Sequence, residues 1–164
     1  MIETTSDIFG STVTYFLNLM RTNLSDVSTP TAKGISATAR DATSDWVVSS
    51  FPKPKKYKDF PGYPIVIVET PTVNETMFTM KHVKQKSGSI SFIILDKSTN
   101  NVNSDNLAGQ IRNVINSNIT TIMANGIAIP HMTDSGVTGF DSGSDTIVRR
   151  IEYSFIYRNL DRYC

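Results

Sequence analysis

Apolar residues recur along this chain with two periods, and the change from one to the other divides it into elements. Over residues 7–24, Phe9, Val13, Phe16, Leu17, Met20 and Leu24 fall three and four apart, which gathers them on one face of a helix. Thr5 or Ser6 is placed to cap that helix, and Asp7 suits the positive end of its dipole. Such a stripe is laid on a sheet or docked on a partner subunit. Residues 63–69 form the clearest strand: Ile65, Val66, Ile67 and Val68 are β-branched and unbroken by a polar residue, which predicts burial on both faces. Pro61-Gly62 and Pro71 bound it. Residues 75–85 alternate, with Phe78, Met80 and His82 on one side; Lys86-Ser87-Gly88 reads as a turn; and residues 89–95 return with Ile90, Phe92 and Ile94 inward. Residues 75–95 therefore predict a β-hairpin.

The helical period then resumes. Leu107, Ala108, Ile111, Val114, Ile115, Ile119, Ile122 and Met123 make one stripe, capped by Asn103 or Ser104, with Asp105 in the first turn and Asn125-Gly126 as the stop. Gln110, Asn113, Asn116 and Asn118 lie opposite, and their lack of charge suits a face covered by another subunit. Residues 127–129 begin a short strand halted by Pro130, and residues 134–145 read as a glycine-rich loop with three aspartates. Over residues 147–157 the alternation is strict: Ile147, Arg149, Ile151, Tyr153, Phe155 and Tyr157 face one way, and Val148, Arg150, Glu152, Ser154 and Ile156 the other. That pattern predicts an antiparallel strand with one solvated or interfacial side.

Two stretches break the periodicity. Residues 25–45 are rich in Ser, Thr, Ala and Gly and poor in large apolar residues, so they read as a long polar loop or arm, of the kind ordered by a neighbour or left without fixed structure. Residues 45–51 offer a short strand with the single Trp46, followed by a segment in which Lys53, Lys55, Lys56 and Lys58 are interleaved with Pro52, Pro54 and Tyr57. The prolines prevent ladder pairing and keep the lysines on an exposed loop. This loop is either plainly solvated or turned toward phosphate or an acidic partner.

Composition narrows the function. A chain of 164 residues fits one domain, with the N-terminal helix through residue 24, the polar arm over 25–45 and a sheet-and-helix core over 46–157. Sixteen basic residues against 15 acidic ones argue against a bulk nucleic-acid binder. The lone Cys164 excludes an internal disulfide, and no apolar run reaches membrane-spanning length, so a soluble intracellular protein is expected. His82 and His131 lack companions at metal-ligand spacing. The 134–145 stretch has the Asp and Gly content of a calcium loop without its alternating ligands or closing Glu. No nucleophile elbow or phosphate-binding loop occurs. No enzyme, metal or cofactor is expected.

The order of helix, Pro/Lys loop, Tyr63-Pro-Ile-Val-Ile-Val-Glu69, hairpin ending in Ile90-Ser-Phe-Ile-Ile-Leu95, helix over 107–123 and closing strand Arg149-Arg-Ile-Glu-Tyr-Ser-Phe-Ile-Tyr157 resembles the tail terminator (tail completion) proteins of long-tailed bacteriophages. The resemblance covers most of residues 46–157 and rests on element order and size, not on an invariant signature. It implies an α/β fold of the α+β kind, with a mixed, mostly antiparallel sheet packed against two main helices. It further implies a hexameric ring of identical subunits in the virion, at the neck end of the tail, assembled in the host cytoplasm. That ring caps the tail tube protein, halts its polymerisation and meets the head connector or stopper. In that setting Lys53, Lys55, Lys56, Tyr57, Lys58, Arg149 and Arg150 are the candidate interface or channel-facing residues, with passing contact to viral DNA. A head-tail stopper or other neck protein is the nearest alternative, and a nucleic-acid-binding module using the 53–58 loop is the second.

Overall fold

In the computed structural model, residues 8–27, 46–50, 62–78, 83–97, 101–141 and 145–157 are described. The chain forms α1 (Ile8–Asn23), β1 (Val47–Val48), β2 (Ile65–Val68), β3 (Thr72–Phe78), β4 (Val83–Asp96), α2 (Val102–Ser117), α3 (Ile119–Ala124), β5 (Ile127–Asp141) and β6 (Thr146–Tyr157). It is an α+β fold in which two main helices pack on a mixed, largely antiparallel sheet, as the element order implies. The sheet runs β1-β2-β4-β6-β5, with β3 also paired to β4. Among the described residues, only β1 and β2 are parallel. The long β4 sits at the centre: β6 lies along one side, while β2 and β3 follow one another along the other.

One face of the sheet carries the core. Val66 and Val68 of β2 stand level with Ile94 and Phe92 of β4, which in turn meet Arg149 and Ile151 of β6. With Phe16 and Met20 of α1, Leu107, Ile111 and Ile115 of α2, and Ile122 of α3, these aliphatic and aromatic side chains make one buried cluster. Phe92 is its pivot. Its ring meets Phe16 edge-on at 6.0 Å from the helix side and Tyr153 at 6.0 Å from the neighbouring strand. Each such pair adds about 1 kcal/mol beyond the burial of its surface. A polar tie runs through the same layer: the Thr12 and Tyr157 hydroxyls share a buried hydrogen bond of 2.9 Å between α1 and β6. Arg21 of α1 also donates through Nε to the Val47 carbonyl, 3.0 Å away, fixing the helix to the short edge strand.

Four local readings are corrected. Lys86-Ser87-Gly88 is not a turn; it lies within β4 and pairs with Tyr157 to Phe155 on one side and with Glu75 to Val73 on the other. Gly88 serves close packing here. A Cβ would collide with the Thr72 carbonyl oxygen and stand 3.2 Å from the Phe155 ring. The hairpin itself is present, but it reverses between Phe78 and Val83.

The second helix begins earlier and ends sooner than its stripe suggests. Asn101 is the N-cap, and Ser104 is buried and donates back to the Asn101 carbonyl at 2.9 Å instead of capping. Asn118 then breaks the helix at φ −106°, with its side-chain amide donating to the Val114 carbonyl at 2.8 Å. Ile119 and Met123 stand exposed at 36% and 37%. Both belong to the short helix that follows the break, so they leave the stripe of Ile111 and Ile115, whereas Ile122 remains in the core.

The last correction concerns residues 127–145. Neither Pro130 nor the glycines end the strand: β5 continues to Asp141, accommodating them at register shifts between Ala128 and His131, Asp134 and Val137, and Val137 and Gly139. Gly136 adopts φ 67°, which an L side chain rarely does.

Candidate functional site on the open face of the sheet

Because side chains alternate along a strand, Arg149 and Arg150 point to opposite faces of β6 and enter different surroundings. Arg149 joins the helix-covered face. Its guanidinium pairs with the Asp134 carboxylate at 2.8 Å and with Asp105 of α2, and Arg112 of α2 pairs with the same Asp134. The Arg149 and Asp134 side chains are only 12% and 11% exposed. Asp134 Oδ1 also accepts the Gly136 amide at 2.9 Å, which pins the irregular part of β5. Beside this network, burial pushes the Tyr153 hydroxyl up to about 12, an effect the Arg112 charge lowers only in part. The Tyr153 hydroxyl and Arg112 Nε are buried without a hydrogen-bond partner.

Arg150 stands on the face the helices leave open. It reaches across β4, donating from Nε and Nη2 to the Ser91 hydroxyl at 3.1 and 2.8 Å, and pairs with Glu69 beyond the end of β2 at 3.1 Å. Glu69 is held in place by its own backbone amide, which donates to the Ser91 carbonyl at 2.9 Å. These residues form one wall of an open cleft of about 600 Å³. Its floor is Ile67 and Ile93, and its remaining lining is hydroxyl-bearing, with Ser49, Ser50, Thr70 and Thr72 around the rim. Half-buried Val148 and Ile156 extend the same face along β6. Aliphatic floor, hydroxyl rim and one surface ion pair suit recognition by shape and hydrogen bonding.

Of the residues singled out from the sequence, Lys53, Lys55, Lys56, Tyr57 and Lys58 lie outside the described residues. Arg149 and Arg150 are not brought together: the first is turned inward, and the second lines the cleft. Two features escaped the sequence reading. Glu69, Ser89 and Ser91 join Arg150 only through strand pairing, which no local spacing announces. Asp105 and Arg112 were legible in principle, since seven residues apart they share one helix face beside the apolar stripe. Among the described residues, no group of three or more His, Cys, Asp or Glu is placed to hold a metal ion. None of their helices is long and apolar enough to cross a membrane. No known family model matches the chain, and no curated protein matches its sequence.

Proposed function

We propose that this chain is a structural subunit of a long-tailed bacteriophage, closing into a hexameric ring that caps the tail tube, stops its polymerisation and forms the interface to the head connector. The observation that carries the reading is the two-sided sheet. One face is spent on the helices and core, while the other keeps Ile67, Ile93, Val148 and Ile156 half-buried around the Arg150–Glu69 pair. Half-buried aliphatics around a hydroxyl-rimmed cleft are the surface of a protein that fits against proteins. The sequence resemblance supplies the identity of the assembly.

The mechanism is steric. A ring is built from heterologous contacts, each subunit presenting two different patches that close by symmetry. One open face meets the last ring of tube subunits and blocks further addition, and no bond is made or broken. The lysines at 53, 55, 56 and 58 rim the channel or hold an acidic tube surface, with DNA passing within their field.

Electron microscopy of particles made by a virus lacking this gene tests the proposal. Overlong, headless tubes are the expected result. Tails of normal length beside heads that lose their DNA would move the protein to the stopper position, and intact virions would end both readings.

A further inference from the structure

We infer that Asn125-Gly126 is a self-modification site, where the asparagine converts to aspartate or iso-aspartate when the last turn of α3 opens. The chain holds one Asn-Gly pair, and it lies where α3 passes into β5. Three asparagines at helix ends make the same bond: the side-chain amides of Asn23, Asn118 and Asn125 donate to the carbonyls of Leu19, Val114 and Thr121, each at 2.8 Å. The residue that follows each one differs. Leu24 and the β-branched Ile119 shield their own backbone nitrogens with a side chain. Gly126 has none to do so.

An unshielded backbone nitrogen next to an asparagine side chain is a nucleophile next to an electrophile. Gly126 N gives up its proton and bonds to Asn125 Cγ, the Cγ–Nδ2 bond breaks, and ammonia leaves carrying that proton. Solvent water then opens the cyclic imide, at Cγ to give aspartate or at the main-chain carbonyl to give iso-aspartate. The closed turn withholds both groups. Gly126 N–H donates to the Met123 carbonyl at 3.1 Å, and the Asn125 amide is held by Thr121. A ψ of 8° at Asn125 also nearly eclipses Gly126 N with the Asn125 nitrogen, off the side from which Cγ must approach. Attack therefore waits for the turn to open. Of the six residues of α3, Ile122 alone is buried, so that opening is a low-energy local event. The product carboxylate accepts and cannot donate. It loses the bond to Thr121 and sets negative charge against the unpaired carbonyls of the helix end, so it favours the open turn that formed it. No partner is needed, and the site stands whether or not the ring forms.

The test is peptide mass spectrometry of the full chain, incubated folded and urea-unfolded in mildly alkaline buffer. In the unfolded chain Asn125 should convert from amide to acid faster than Asn23 or Asn118, and folding should slow it at least about tenfold. Ile122→Val loosens α3 while keeping its buried position apolar. It should retain the circular dichroism of the parent and speed conversion in the folded state by about two- to tenfold. Asn125→Asp should also fold, and should lose hydrogen-exchange protection at the amides of residues 125 and 126. Four results would each overturn the inference: no conversion at Asn125 in the unfolded chain, conversion at Asn23 or Asn118 as fast as at Asn125, equal rates in the folded and unfolded chain, or an unchanged rate in folded Ile122→Val.

Discussion

Arg149 and Arg150 are neighbours in sequence and strangers in space. Arg149 lies at the helix-covered face, largely withdrawn from water, with Asp134 and Asp105 around it and Arg112 sharing Asp134. Arg150, 48% exposed, bridges Ser91 and Glu69 across the open face. The chemical pieces are nearly the same: a guanidinium, a carboxylate and a strand to hold them. Solvent separates their consequences. A pair withdrawn from water leaves an unmatched charge when one partner is removed, whereas a surface pair gives up little because water replaces the partner. The covered face should therefore govern stability, and the open face should be almost free to serve recognition.

The sharpest break of this comparison uses two adjacent residues of β4. Phe92 is fully buried between Phe16 and Tyr153, and Ile93 lies half-buried on the cleft floor. Phe92→Ala should destabilise the fold by about 4 kcal/mol. Ile93→Ala should lower it by about 1 kcal/mol. Denaturant unfolding of the two variants measures the difference; equal losses would mean that the open face is packed as tightly as the core.

The charge networks should divide in the same way. Asp134→Ala leaves Arg149 with Asp105 alone, removes the carboxylate from Arg112 and frees the Gly136 amide, so a loss of about 2 kcal/mol is expected. Glu69→Ala breaks an exposed pair and should stay within about 0.5 kcal/mol of the parent. Thermal melts at low and high salt sharpen the contrast, because only the exposed pair is readily screened.

How far these faces could be read in advance follows from the range of the interactions that set them. β6 was legible because its two-residue period is local, and the structure preserves every facing from Ile147 to Tyr157. β2 was legible because four β-branched residues in a row have few alternatives. Gly88 was misread because glycine signals a turn locally, while its actual constraint comes from Thr72 and Phe155, distant in sequence. β5 was misread for a related reason: Pro130 and the glycines look like strand breakers until β6 is there to pair around them. The cleft was the least legible. Arg150 was noticed, yet Glu69, Ser89 and Ser91 are joined to it only by the register of β2, β4 and β6. Charge on the second helix was visible and undervalued, since Asp105 and Arg112 needed Asp134 before their spacing acquired a meaning.

Titration tests the covered face without a mutation in the charge network. Burial raises the hydroxyls of Tyr15, Tyr153 and Tyr157 above their ordinary value near 10, and carries Tyr153 to about 12. A folded value above the unfolded one means the folded state holds its proton longer. Stability from Tyr153 is thus complete below pH 10 and is lost as pH rises from about 10 to about 12, by about 2 to 3 kcal/mol. Tyr153→Phe should flatten that decline. At neutral pH it should leave stability unchanged or slightly raised, because the buried hydroxyl it removes has no hydrogen-bond partner. A steep loss at neutral pH would show that the hydroxyl is bonded after all.

The smallest expected change in stability falls at Arg150, and there the comparison becomes functional. Arg150→Ala removes an exposed side chain whose partners Ser91 and Glu69 stay where β4 and β2 put them. Unfolding free energy should move by no more than about 0.5 kcal/mol. The cleft, however, loses its cation and keeps the Glu69 carboxylate, so its lining goes from a neutral pair to a lone negative charge at the point where a partner would dock. Under the proposed function, the variant should fold as the parent does and yet release overlong tubes or fail to join tails to heads in complementation of the deleted gene. Glu69→Ala, which leaves the cation and removes the anion, separates charge from shape: loss with both variants means that the pair itself is recognised. Normal virions from both would take the open face out of the assembly, whatever the ring is made of.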